Sequence, residues 1–169
     1  MVEVILAGYT INFPEDWHIK ELPSDERKRA VIVKNDEPYV QAIVFITELG
    51  LPRHPTSDVK WKNMLVRDTT INEYIEETQA EYWMKNIEVG MEMASVTQVN
   101  HDLTINGRPG FDLFVSNNTT KYAAYRIGYW LKDVGTETLN IWADFGYTEP
   151  TRIITVIKAL ANNIHVTSS

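Results

Sequence analysis

Gly8-Tyr9-Thr10-Ile11-Asn12-Phe13-Pro14-Glu15-Asp16-Trp17 is the stretch on which the fold turns. Tyr9, Ile11 and Phe13 alternate with polar residues, Pro14 stops the strand and Trp17 follows the turn, the pattern of a hairpin segment entering a core. Near the other end, Thr148-Glu149-Pro150 opens a helix in which Ile153, Ile157, Leu160 and Ile164 recur at helical intervals, with proline tolerated in the first turn. The span between these two ends reads as one uninterrupted domain over 1–169.

Working inward, strands are predicted over 17–21 and 29–34, then a turn at Asn35-Asp36-Glu37-Pro38. Residues 39–46 are apolar at nearly every position, which suits a strand covered on both faces. From Leu49 to Asp68 the periodicity weakens around Pro52 and Pro55, and a short helix starts at Ser57 with Trp61, Met64 and Leu65 as its apolar side. Thr70-Ile71-Asn72-Glu73 has capping-box spacing, and Ile71, Tyr74, Ile75, Thr78 and Tyr82 continue a helix towards Gly90. Asn106-Gly107 between strands over 93–105 and 108–116 is a hairpin signal, because both central residues of a type I′ turn need positive φ. Strands over 121–132 and 138–145 complete the set. This order predicts an α+β fold, a mainly antiparallel β-sheet flanked by helices as an α/β/α sandwich.

The 169 residues carry a net charge of -7, so a nucleic-acid partner finds no global electrostatic pull. No cysteine is present, which removes disulfides, thiolate nucleophiles and cysteine zinc sites. No apolar run reaches membrane-spanning length. The start reads as that of a soluble cytoplasmic chain, or of an exported one if Met1 replaces a removed leader.

Three pieces together resemble the family of PsbP, the extrinsic photosystem II protein, the DcrB-like bacterial proteins and the Mog-type Ran-binding factor. They are Tyr-Thr-Ile-Asn-Phe-Pro-Glu-Asp-Trp at 9–17, Leu-Thr-Ile-Asn-Gly-Arg-Pro-Gly-Phe at 103–111, and the closing strand and helix over 139–164. The resemblance implies the helix-flanked fold and an accessory subunit, assembly factor, lipoprotein or chaperone; family members are mostly not enzymes. No universal active site transfers with it, and Phe13, Trp17, Gly107 and Pro109 read as structural.

The chemistry-bearing residues give no catalytic constellation. His18, His54, His101 and His165 have no metal-ligand spacing, and composite sites such as His18 with Asp16, or His101 with a neighbouring acid, are left to structure; His101 and Asp102, adjacent on a strand, are expected on opposite faces. No serine lies in a nucleophile elbow, and the glycines form no phosphate loop. No cofactor and no metal are expected.

The aromatic residues are more telling. Tyr125, Ile127, Tyr129 and Leu131 are expected on a buried face with Leu139, Ile141, Ala143 and Phe145, leaving Arg126, Gly128, Trp130, Asn140, Trp142 and Asp144 opposite. With Lys132 facing Thr138, Trp142 would lie over Gly128 and Arg126 would face Asp144. Such a face is a partner-binding platform if exposed and plain core under a helix. The excursion at 49–68 supplies a second candidate in Arg53, Lys60, Trp61, Lys62 and Arg67.

The expected function is therefore a non-catalytic accessory or binding protein that holds a protein or peptide partner through Arg53, Lys60, Trp61, Lys62, Arg126, Trp130 and Trp142. The alternatives are a small-molecule or metal-binding domain with a hydrolase-like pocket, and a structural subunit of a homo-oligomer.

Overall fold

Ala7 and Gly8 take positive φ, 49° and 83°, and close a tight turn that folds the opening segment back on the residues before it. In this computed structural model, which describes residues 2–49, 58–66, 95–117, 122–145 and 149–168, β1 (Val2–Leu6) pairs antiparallel with β2 (Tyr9–Phe13). The terminal β10 (His165–Ser168) pairs with the other edge of β2, making a small three-stranded sheet. The alternation read in the sequence buries Tyr9, Ile11 and Phe13 together.

The second sheet has seven strands. β3 (Trp17–Glu21), β4 (Arg29–Lys34) and β5 (Glu37–Glu48) run in sequence order from one edge. β6 (Ser95–Ile105), β7 (Arg108–Asn117), β8 (Tyr122–Trp130) and β9 (Glu137–Asp144) return from the other, so that the spatial order is β3-β4-β5-β9-β8-β7-β6. Every described strand pair is antiparallel. Asn106 and Gly107, at φ 53° and 75°, make the expected turn between β6 and β7.

The helix-flanked sandwich is met in part. The amphipathic α2 (Pro150–Asn163) lays Ile153, Val156, Ile157, Leu160 and Ala161 on one face of the large sheet, where they meet β8, β9 and the small sheet in one core. The nine-residue α1 (Asp58–Val66) packs on the opposite face near β6. The helix expected beyond Thr70 lies outside the described residues.

β5 explains the two-sided burial. Val40, Ala42 and Val44 enter the α2 core, while Ile43 and Phe45 enter a second core with Trp61, Phe111, Trp130 and Trp142. The faces of β8 and β9 are those expected, but their register is displaced by two residues: Trp130 faces Thr138, Gly128 faces Asn140 and Arg126 faces Trp142. The connection at 131–136 is longer than expected, with Gly135 at φ 116° and Leu131 N–H donating to the Glu137 carbonyl at 3.1 Å. A two-residue displacement keeps each side chain on its face, since side chains alternate with period two.

Candidate functional site

The residues expected to form an aromatic platform do come together, but beneath a helix. Trp61, Trp130 and Trp142 are 0%, 1% and 1% exposed, and Arg126 is fully buried among them. Trp61 and Trp130 meet edge to face at 5.4 Å, with Phe111 at 5.5 Å from each. Of the two outcomes the sequence leaves for this face, the covered core is the one found, because α1 lays Trp61 and Leu65 against Phe111, Trp130 and Trp142. Of the excursion's basic residues, Lys60 is exposed, Lys62 is half-buried, and Arg53 and Arg67 lie outside the described residues.

Arg126 holds α1 down. Its Nε and Nη2 donate to Asn140 Oδ1 at 3.0 and 2.7 Å, and its Nη1 donates to the Leu65 carbonyl at 3.1 Å. That carbonyl belongs to the last turn of α1, where backbone acceptors have no intrahelical partner and a cation is favoured by the helix dipole. The guanidinium lies 5.2 Å from the Phe45 ring centre and 5.7 Å from that of Phe111. Asn140 passes the chain on, donating to the Thr138 carbonyl and hydroxyl at 3.1 and 3.0 Å, and Thr138 Oγ1 donates to the Thr47 carbonyl at 3.0 Å.

An accessible concavity lies on the other face of the large sheet, beside α2. A solvent-open groove of about 500 Å³ runs along α2, lined by Trp17, Lys34, Arg152, Thr155, Ala159 and His165 among others. Arg152, Thr155, Ala159 and Asn163 share this side of α2 because they are spaced at helical intervals. Asn35 ties the turn at 14–16 to the end of β4: its amide N–H donates to the Asp16 carbonyl at 2.8 Å and its side chain to the Glu15 carbonyl at 2.9 Å. His18 shares a 2.6 Å hydrogen bond with Asn35 Oδ1, which is the partnership found where Asp16 was considered.

An ion network adjoins the groove through Asp16, Lys34 and Arg152 of its lining. Lys34 Nζ stands 2.6 Å from Asp36, 3.7 Å from Asp16 and 3.9 Å from Glu37. Arg152 donates to both carboxylate oxygens of Glu37, and Tyr39 Oη donates to the same carboxylate at 3.1 Å. The hydrogen bond from Lys34 holds the Asp36 carboxyl below its ordinary range, and those from Arg152 and Tyr39 do the same for Glu37. The same contacts raise Lys34 and Arg152.

These depressed values carry a sign. A carboxylate whose pKa is lower folded than unfolded contributes fully above its unfolded pKa and loses that contribution as pH falls through the folded value. Stability is expected to fall on acidification through and below the ordinary carboxylate range. Replacing Glu37→Gln should flatten that acid limb, as read by urea midpoints along a pH series. An unchanged acid limb would mean that the network contributes nothing to folding.

A second polar cluster is structural. Buried Asp112 accepts from Tyr125 Oη at 2.6 Å and from Asn100 Nδ2 at 2.8 Å, with Lys158 Nζ at 4.0 Å. Burial, then the bond to Asp112, pushes the Tyr125 phenol far above its ordinary value. His101 lies in a bulge between Asn100 and Leu103, partly buried with its ring stacked on Trp61, while Asp102 is exposed with its Oδ1 3.8 Å from His101 Nδ1. Among the described residues, no three His, Asp or Glu side chains gather in a metal-holding group.

Sequence reasoning missed the groove. Lys34 reads as the end of a strand and Asn35 to Pro38 as a turn, and the closing helix is read only through its apolar positions. The available signal was the small bulk of Thr155 and Ala159 beside Arg152, but the facing wall comes from β3, β4, β10 and the turn at 14–16, and β10 was not anticipated.

No family model matches the chain, and no curated protein matches it. Among solved structures, it is similar to a point mutant of protein Mog1, at 14% identity and a TM-score of 0.46 over 99% of this chain and 96% of that one. It is similar to the Saccharomyces cerevisiae Ran-binding protein Mog1p at 13% identity and a TM-score of 0.46, covering 97% of this chain and 94% of that one. LpqN of Mycobacterium tuberculosis, involved in cell envelope biogenesis, follows at 13% identity and a TM-score of 0.43, covering 94% and 84%. Overlaps this loose transfer no residue and no partner.

Proposed function

We infer that the protein is a non-catalytic accessory protein that holds a segment of a protein partner in the groove along α2. The observation that carries this reading is the groove itself: a solvent-open channel with Lys34 and Arg152 of the ion network in its wall. Its accessible wall carries Lys34, Arg152, Thr155, Asn163 and His165 beside Ala159, over a floor of buried Trp17, Val156 and Leu160, which suits a partner segment presenting mainly polar and charged side chains. The carboxylates of that network also speak for binding. Asp36 and Glu37 are engaged by cations that keep them ionised, whereas a general acid or base works best with a pKa near the operating pH.

Ala159 tests the reading, since it is exposed on α2 and lines the groove without entering the core. Ala159→Arg is expected to leave folding unchanged within about 0.5 kcal/mol, as exposed substitutions usually do, and to abolish partner capture from a lysate of the protein's source. Photocrosslinking from position 155 should join the same partner to the wild-type groove. Equal capture by wild type and variant would place binding elsewhere, and no capture by either would count against a binding function.

A further inference from the structure

Asn106-Gly107 is the one Asn-Gly step of the sequence, and the structure gives its side chain a tertiary task. Asn106 Nδ2 donates to the Ile164 carbonyl at 2.6 Å, and the Asn106 amide N–H donates to Asn162 Oδ1 at 2.9 Å. These two bonds clasp the β6–β7 turn onto the end of α2 and the start of β10, 56 and 58 residues away in sequence. Ile164 lies between Asn163 and His165, both of which line the groove.

The same step is chemically labile. Gly107 is exposed, nothing lies within 4 Å of where a Cβ would stand, and with no side chain of its own it offers the least steric resistance to attack by its backbone nitrogen on the preceding residue. We propose that Asn106 is a site of spontaneous deamidation whose product releases this clasp. The deprotonated Gly107 nitrogen attacks Asn106 Cγ, the Cγ–Nδ2 bond breaks, and the amide leaves as ammonia after taking up a proton. Water then opens the five-membered imide at either carbonyl, giving aspartate or isoaspartate; the net change is amide plus water to carboxylic acid plus ammonia.

Either product loses the Nδ2 donor and sets a carboxylate against the Ile164 carbonyl, an acceptor facing an acceptor. Isoaspartate also adds a backbone carbon to a two-residue turn whose φ values of 53° and 75° fit the strand pair. The hydrogen bonds that hold Asn106 in place slow the attack while the turn is closed, so the reaction proceeds from the open turn. Once it has occurred, the clasp cannot re-form.

The test incubates the purified protein at mildly alkaline pH and follows it by peptide mapping, with enzymatic isoaspartyl methylation to count the isoaspartate. Aspartate and isoaspartate are expected to accumulate at position 106 ahead of every other asparagine, and faster in Asn162→Ala, which lacks the second half of the clasp. Amides of residues 164–167 in the converted fraction should exchange hydrogen roughly ten-fold faster than in the intact fraction. Asn106→Asp isolates the second step, because Asp-Gly keeps the turn while removing the donor. Conversion first at another asparagine would overturn the site, and unchanged exchange at 164–167 in Asn106→Asp would overturn the release.

Discussion

Arg126→Ala is expected to remove about 3–5 kcal/mol of folding stability, a large share of the roughly 5–15 kcal/mol that holds a domain of this kind together. The side chain is fully buried, and its truncation has three separate consequences. Asn140 Oδ1 loses both of its Arg126 donors, and the Leu65 carbonyl loses the donor that caps α1. A buried acceptor stripped of its donor bears its full desolvation penalty, about 1–3 kcal/mol each. The space between Phe45 and Phe111 that the guanidinium occupies is emptied as well, and a cavity adds its own cost.

Two further variants separate these contributions. Arg126→Met keeps most of the volume and strands the same acceptors, so it should recover only the cavity part. Arg126→Met combined with Asn140→Leu removes donor and acceptor together and should lie closer to wild type than Arg126→Met alone, since replacing both partners by apolar groups is far milder than orphaning one. Urea midpoints with an unchanged slope would measure all three. A loss below about 1 kcal/mol for Arg126→Ala would show that α1 is held by its apolar contacts alone.

That Arg126 is a latch and not a platform edge was beyond the sequence, and the reason is physical. The strands over 9–13, 17–21 and 29–34, the Asn106-Gly107 turn and the opposite faces of β8 and β9 were all legible, because each follows from local periodicity or from a φ requirement met by neighbouring residues. Whether the Trp130 and Trp142 face is wet or covered depends on where a helix far away in the chain lands, and no local pattern encodes that. The same holds for the groove, whose walls are β3, β4, α2 and β10. β1 was locally legible, since Val2, Val4 and Leu6 alternate, but those residues were read as a chain start and not as a strand. The register of β8 on β9 failed for a different reason: the connection's length was taken as fixed, although a glycine at φ 116° lets it hold one more pair open.

Gly128→Ala is expected to destabilise by about 3 kcal/mol, at the upper end of what a single added methyl does in a packed core. Gly128 sits mid-strand in β8, between Phe111 of β7 and Asn140 of β9. A Cβ there would stand 2.7 Å from the Leu139 carbonyl oxygen, 2.7 Å from Phe111 Cζ and 2.9 Å from Asn140 Oδ1. The three neighbours differ in what they can yield. Phe111 can tilt, though its ring is held against Trp61 and Trp130 at 5.5 Å. Asn140 Oδ1 can move only by lengthening its bonds from Arg126, so a methyl on β8 reaches the latch on α1. The Leu139 oxygen is strand backbone and cannot shift without opening the β8–β9 ladder. Shortening the ring with Phe111→Leu in the Gly128→Ala background should therefore restore a minority of the loss, because the backbone contact persists. Restoration to the level of Phe111→Leu alone would show that the ring, and not the Leu139 carbonyl, sets the limit, and that the sheet here is more compliant than its spacing implies.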